Sequence, residues 1–238
     1  MTAILTLTSR QLAGSRRLWL VLALVALPVL AAVLYRAADS ETPANEFADQ
    51  ITANLIASGI LPLVMLLFGT SAFGNELGDR TLVYLVLKPV SRWSIAVPKF
   101  LASILVGGVP VAASGAVAVA IIESGDLGGA VATGIGLLIG SAAYAAVFTW
   151  AGLALRHALI FGLVYVVIWE AVLAAYLDGI RYLSIRQFTL AIIGWLDSEQ
   201  LATRDLSLEG AGGAIGAAVV IGVFSVLTAR KLARIDVP

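Results

Sequence analysis

The chain has 238 residues, of which 60% are hydrophobic and only 13% are charged, and its mean hydropathy is +0.98. Soluble domains carry about 25% charged residues, and a water-soluble fold of this size has too little interior to hide so much apolar surface. The composition therefore excludes a soluble globular enzyme and a disordered chain. The 15 basic and 15 acidic residues leave no net charge, so no nucleic-acid partner is expected.

Residue types that carry metal or nucleophilic chemistry are scarce in this chain. The absence of cysteine excludes disulfides, thiolate metal sites and thiol redox chemistry. A single histidine and two methionines disfavour metal sites built on those side chains. We therefore expect neither a bound metal nor a catalytic residue.

Six apolar runs are long enough to cross a membrane, which takes about 20 residues. Backbone groups in lipid must be hydrogen-bonded within the protein, and the chain lacks the ten-residue alternating strands of a membrane barrel. The sequence therefore predicts an all-α membrane protein with six transmembrane helices. The predicted spans are Leu18–Tyr35, Ile51–Asn75, Phe100–Ile122, Leu127–Leu155, Ala158–Leu177 and Gly210–Ala229.

The basic residues predict the orientation of these spans. With both termini in the cytoplasm, the inner segments hold 11 of the Lys and Arg residues and the outer segments hold 4. This asymmetry is typical of membrane proteins, whose cytoplasmic segments are rich in positive charge. We expect a multi-pass protein of the cell membrane with both chain ends inside.

Two further segments are predicted to associate with the membrane surface. Residues 1–17 combine leucines with Arg10, Arg16 and Arg17, a pattern that favours an interfacial helix on the inner leaflet. Residues 18–238 would then form a single six-helix domain. In the outer segment between spans five and six, Ile180–Leu196 is amphipathic, which predicts a short helix that rests in the headgroups or dips back into the membrane.

Small residues in the spans indicate close helix packing. Gly136 and Gly140 form one G-x-x-x-G pair, and Gly212 and Gly216 form another. Such pairs let helix backbones approach closely, either within one bundle or across a dimer interface. The sequence leaves both arrangements open.

The segment between spans two and three is the only sizeable cytoplasmic loop. Glu76 and Arg80 have the i,i+4 spacing of a helical ion pair. Leu82 and Leu85 give an apolar face, and Pro89 ends the element because it disfavours helix at the residue before it. The pattern predicts a short helix parallel to the membrane, suited to docking into a groove of a cytoplasmic partner.

This loop resembles that of the type-2 (exporter-like) ABC transporter permeases, which have a Glu, a Thr-Leu step, a leucine-rich turn, a Pro-Val-Ser-Arg step and a downstream Lys. Arg80 stands where a Gly often precedes the Thr, a modest departure. Tyr165, Trp169 and Glu170 in the fifth span are also similar to one bacterial branch of the family. The residues that match the loop pattern are Glu76, Arg80, Thr81, Leu82, Leu85, Pro89, Val90, Ser91, Arg92 and Lys99.

The resemblance implies a permease that works as a dimer of six-helix subunits with two separate ABC ATPase subunits beneath it, usually for export. The loop helix would transmit ATPase closure to the spans, and the N-terminal helix would brace the same junction. The second permease subunit could be identical or different. The residues implied to couple to the ATPase are Glu76, Arg80, Thr81, Leu82, Leu85, Lys88, Pro89 and Arg92.

No nucleotide-binding loop is present in the sequence. The pattern G-x-x-x-x-G-K-[ST] is absent, since none of the three lysines follows a glycine. The chain is therefore expected to be a transport subunit and not an enzyme. ATP and Mg²⁺ would be bound by the partner ATPase, and this chain would carry no cofactor.

Glu170 is the one ionisable residue predicted deep inside a span. A charge near the bilayer centre costs about 2.5–3.5 kcal/mol, so this side chain must face a partner or a wet cavity, or be protonated. It could contact a substrate together with Tyr165 and Trp169, or it could make a structural hydrogen bond to a neighbouring helix. Both hypotheses stay open.

Two other functions compete with the ATP-driven permease. A secondary transporter or channel driven by ion gradients would show inverted repeats and several buried ionisable groups, and the sequence has no such repeat. A non-transporting sensor would need a part that extends from the membrane, and none is evident.

Overall fold

The computed structural model describes residues 2–14, 17–38, 41–78, 91–125, 127–173, 182–201 and 208–234. Within these ranges the chain forms helices and no strand, which confirms the all-helical prediction. We number the helices in chain order, joining segments that follow one another without a break. They are α1 (Thr2–Ala13), α2 (Arg17–Ala37), α3 (44–78), α4 (Trp93–Ile122), α5 (Leu127–Ala154), α6 (158–173), α7 (Ile185–Leu196) and α8 (Gly210–Ala233).

Five helices in the described ranges are long and apolar enough to cross a membrane: α2, α3, α4, α5 and α8. They correspond to the first four and the last of the predicted spans. The described part of the fifth predicted span, α6, is shorter, and residues 174–181 beyond it lie outside the described residues. The membrane character of the fold is therefore confirmed, whereas the count of six spans stays a prediction.

Two spans begin earlier than predicted. Helix α3 starts at Ala44, within an outer segment that we expected to be non-helical up to Gln50, because Ala48 and Asp49 are buried by contacts with other parts of the chain. Helix α4 starts at Trp93, so Lys99 lies inside a span, where only 1% of it is exposed. Glu170 is therefore not the sole ionisable side chain buried in a span.

Three helices contain wide π-helical turns, in which backbone hydrogen bonds join residues i and i+5. These turns cover Ile51–Ile60 in α3, Ile104–Gly108 in α4 and Tyr165–Leu173 in α6. Such turns are rare and are often found at functional sites. The turn in α6 contains Glu170.

Helix α5 is the centre of the bundle and packs against α3, α4, α7 and α8. It approaches α3 closely at Gly152, where a Cβ atom would lie only 2.5 Å from the carbonyl oxygen of Thr70. Helix α2 packs on the second half of α4, Val109–Ile122, and exposes large apolar side chains on its other side, such as Leu20 and Leu34. Such a face suits contact with lipid.

The helices alternate in direction, which gives the bundle two ends. We call the inner end the one formed by residues 70–78, 91–99, 150–158 and 228–234. The outer end is the one formed by residues 36–38, 41–50, 122–125, 127–130, 195–201 and 208–210. Contacts define each end: Phe73, Ile95, Leu153 and Leu232 cluster at the inner end, and the Arg36 side chain donates to Ser124 at the outer end.

Candidate functional site

An ion pair closes the inner end of the bundle where α3 and α4 meet. The Nζ atom of Lys99 lies 2.7 Å from Oε1 of Glu76, with 1% and 12% of the two side chains exposed. Lys99 also donates to the backbone carbonyl of Ala72 and stands 4.8 Å from the ring centre of Phe73. The pair therefore joins the last turns of α3 to the first turns of α4, the two helices that flank residues 79–90.

Helix α1 lies across the same inner end. It contacts both α3 and the first part of α4. Thr8 and Leu12 are buried, and Ile4 packs against the cluster that includes Phe73 and Ile95. The predicted interfacial helix thus packs directly on the helices joined by the ion pair.

Glu170 lies at a second buried site, roughly 18 Å along α6 from its first residue at 1.5 Å per residue. It is fully buried, and three donors satisfy its carboxylate. Oε1 accepts from the Tyr165 hydroxyl at 3.0 Å and from the backbone N–H of Ile185 at 3.1 Å, and Oε2 accepts from the Ser184 hydroxyl. These are the contacts that a structural role requires, and both oxygens are occupied.

The carboxylate of Glu170 stands at the N-terminus of α7. Ser184 is the N-cap of this helix, and its hydroxyl accepts from the backbone N–H of Gln187 at 3.3 Å. A negative charge is favourable there, because the first N–H groups of a helix are unpaired and the helix dipole is positive at that end. Glu170 thus fixes the start of α7 in the middle of the bundle.

Aromatic rings continue from this carboxylate along α5 and α6. Tyr165 stacks on Trp169 with ring centres 6.5 Å apart and meets the edge of Phe148 at 6.2 Å. Phe148 in turn stacks on Tyr144 at 5.8 Å. The predicted residues Tyr165, Trp169 and Glu170 therefore belong to one cluster, which also includes Tyr144 and Phe148.

Helix α7 is buried between α5 and α8 and does not rest on the surface. Glycines make this possible, because a side chain at Gly136 would overlap Ile193 and one at Gly140 would overlap Thr189. At Gly216 of α8, a Cβ atom would lie 2.6 Å from the ring of Phe188. Gly136, Gly140 and Gly216 thus contribute to packing within one bundle, whereas a Cβ atom at Gly212 would meet only Leu208. The amphipathic segment dips into the membrane domain.

A model of the family described as "ABC-2 family transporter protein" matches residues 15–193, which is well over half of the 238 residues. The chain belongs to the ABC-2 transporter family. No curated protein matches it. The family and the apolar helices together make the chain a membrane permease, and the family resemblance predicted from the sequence is confirmed.

The matched region of this ABC-2 permease contains both sites. It includes the Glu76–Lys99 pair and Glu170 with its donors, and it ends inside α7. Helix α8, which packs against α7, lies beyond the matched region.

Several predicted site residues of the permease lie outside the described residues. Two of the predicted coupling residues are described. Glu76 lies in the last turn of α3 and forms the ion pair. Arg92 directly precedes α4, and its carbonyl accepts from the N–H groups of Ile95 and Ala96. Arg10 is exposed near the end of α1. Those outside the described residues are Arg16, Arg80, Thr81, Leu82, Leu85, Lys88 and Pro89, together with the side chain of Arg17.

Sequence reasoning missed the partners that matter most at each site. Glu76 pairs with Lys99, 23 residues away, a partner that the i,i+4 spacing does not indicate, and the predicted partner Arg80 lies outside the described residues. Ser184 and the N–H of Ile185 were not predicted as partners of Glu170, 14 and 15 residues away. The downstream lysine of the loop pattern was the one available signal for Lys99.

Proposed function

We propose that this chain is the membrane-spanning subunit of an ATP-driven exporter, which works as a dimer and takes its energy from separate ABC ATPase subunits. The observation that carries the proposal is the Glu76–Lys99 pair, which joins the two helices that flank residues 79–90. Family membership supports it, because permeases of this kind are the membrane partners of ABC ATPases.

The ion pair makes the inner ends of α3 and α4 one mechanical unit. Breaking a buried ion pair by removing one partner costs about 3–5 kcal/mol, whereas an exposed pair contributes about 0–1 kcal/mol. A force applied to residues 79–90 would therefore displace the inner ends of α3 and α4 together. Helix α1, which contacts both, would resist their separation.

The energy source is assigned to a partner chain because the sequence has no phosphate-binding loop. ATP and Mg²⁺ would be held by the ATPase, and this chain would perform no chemistry of its own. Closure of the ATPase dimer against the loop would switch the permease between inward-open and outward-open states.

Glu170 has a positioning role in this mechanism. Its two oxygens already accept three hydrogen bonds, from Tyr165, Ser184 and the N–H of Ile185, and the side chain is fully buried, so no cargo molecule reaches it in the present conformation. We assign it the role of fixing the start of α7 in the middle of the bundle. Cargo contact is the alternative, and it requires these hydrogen bonds to open.

Co-purification tests the partnership. The chain is co-expressed with the tagged ABC ATPase encoded nearest to it, and the permease recovered with the tag is measured together with ATPase activity. R80E and R92E reverse charges next to the proposed contact, and both should reduce recovery at least tenfold with unchanged membrane insertion. R156E is the matched control, because Arg156 is an exposed basic residue at the inner turn between α5 and α6.

Two results would contradict the proposal. One is that R80E and R92E recover as much ATPase as R156E does. The other is ATP-independent movement of solute by vesicles that contain the permease alone, which would favour the gradient-driven transporter or channel.

A further inference from the structure

The segment that follows α7 is tied to the outer ends of two spans by carboxylates that no family pattern assigns. Oδ1 of Asp49 accepts from the backbone N–H of Leu201 at 2.7 Å, and Oε2 of Glu123 accepts from Nε2 of Gln200 at 2.7 Å. Asp49 lies in α3, and Glu123 directly follows α4. The contacts span 152 and 77 residues of sequence, so they hold distant parts of the fold together.

The Asp49 contact is buried and the Glu123 contact is half-buried, although both lie at the outer end. Asp49 and Gln200 are each 3% exposed, and Leu201 is 1% exposed. A buried carboxylate needs its hydrogen bonds, because an unsatisfied buried acceptor is expensive. The segment 197–201 is therefore held closed by specific hydrogen bonds and not by apolar packing alone.

The backbone at this position is strained. Leu201 has φ = 62°, in the left-handed region that non-glycine residues rarely adopt. Such a conformation persists only where the surroundings enforce it. The hydrogen bond from Leu201 to Asp49 is one restraint that does so, and its release would let the segment relax away from the bundle.

Helix α7 is thus fixed at both of its ends by acidic side chains. Glu170 holds its first residues in the middle of the bundle, and Asp49 and Glu123 hold the segment 197–201 just beyond its last residue. The attachment at Glu170 has three donors, and none of them belongs to a residue with a left-handed backbone. The attachment at Asp49 and Glu123, which we call the outer attachment, includes the strained residue Leu201. The outer attachment is the one placed to open.

We propose that Asp49 and Glu123 are positioning residues that hold the end of α7 as a closed outer gate. Opening would begin with loss of the bonds to Leu201 and Gln200, and α7 would then pivot about its attachment to Glu170. The use of this gate for transport depends on the function proposed above. The gate itself does not, so it is tested on the permease without any ATPase.

The test uses a single introduced thiol, because the chain has no cysteine. Thr52 lies one helical turn after Asp49 and is 1% exposed. In the described part of the chain its hydroxyl has no hydrogen-bond partner, so T52C removes no hydrogen bond there. The full-length T52C permease is placed in nanodiscs of phosphatidylethanolamine and phosphatidylglycerol, and its rate of reaction with a membrane-impermeant maleimide is measured.

Adding D49A should raise the T52C labelling rate about tenfold, the change expected when a hydrogen bond to a charged group is lost from a local opening equilibrium. D49N should restore slow labelling, because its amide oxygen still accepts from Leu201. E123A and E123Q should behave in the same way with a smaller change. Rescue by the amide variants distinguishes a specific attachment from a general packing effect.

A second cysteine controls for unfolding. Ser103 is fully buried in α4, far from the outer end, and S103C should stay unlabelled in every variant. The proposal is overturned if D49A leaves T52C labelling unchanged, if D49N fails to restore it, or if S103C becomes labelled to the same extent as T52C. Absence of an ATPase partner would overturn the proposed function but not this result.

Discussion

Glu76 and Glu170 are both carboxylates inside the helical bundle, but they are satisfied in different ways. Glu76 at the inner end is paired with the positive charge of Lys99. Glu170 in the middle accepts hydrogen bonds from neutral groups, namely Tyr165, Ser184 and the N–H of Ile185. The first arrangement joins two helices, because moving either charge away would leave the other buried without a counter-charge. The second fixes one helix end against another helix.

The largest effect in this comparison should come from breaking the inner pair. E76Q leaves the Lys99 charge buried without a counter-charge, which should destabilise the protein by about 3–5 kcal/mol. Thermal unfolding in detergent, monitored by circular dichroism, measures the loss. The double variant E76L/K99M should recover most of the stability, because apolar replacement of both partners is often neutral. An unchanged melting temperature for E76Q would show that the pair carries no such load.

Replacing Glu170 should give a smaller effect that depends on shape more than on charge. E170A leaves buried donors without an acceptor, which should cost about 2–3 kcal/mol. E170Q keeps an acceptor for Tyr165 and Ile185 and should cost about 1 kcal/mol or less. The same thermal unfolding measurement compares the two variants. If E170Q were as damaging as E170A, the negative charge itself would be required, and the assigned positioning role would be wrong.

The smallest of these effects should come from disturbing the packing of α7 against α5. G140A places a methyl group against Thr189, and the displaced helix should cost about 1–3 kcal/mol. G222A is the matched control, because no atom lies within 4 Å of a Cβ placed there. The control should be neutral or slightly stabilising, since alanine is the better helix former. Equal melting temperatures for the two variants would contradict the packing of α7 against α5.

Hydropathy predicted the spans well because lipid demands long apolar runs, and the described helices follow them closely. The boundaries failed where polar residues are buried by distant contacts. Asp49 and Gln50 indicated a loop, yet the helix runs through them because Leu201 supplies a donor to Asp49. A one-dimensional pattern contains no information about that donor.

At the candidate sites, sequence reasoning failed mainly to predict contacts between residues that are far apart in the sequence. The i,i+4 rule identifies only neighbours within a helix, so it selected Arg80 and could not weigh Lys99 against it. The glycine pairs predicted close packing correctly, but their partner, α7, depends on how a short amphipathic helix folds back into the bundle. Its charged residue Arg186 and its apolar residues together suit a membrane surface equally well.

In the proposed mechanism, nucleotide binding by a partner chain is transmitted through residues 76–92 to the outer end of the bundle. The most direct measurement is the labelling rate of T52C in the reconstituted complex of permease and ATPase, with and without ATP, Mg²⁺ and vanadate. Nucleotide should change the rate in the wild-type background, and R92E, which is expected to bind at least tenfold less ATPase, should abolish the change although the added ATPase stays active. A full nucleotide response in R92E, or the same response from the permease without its ATPase, would contradict the proposed mechanism.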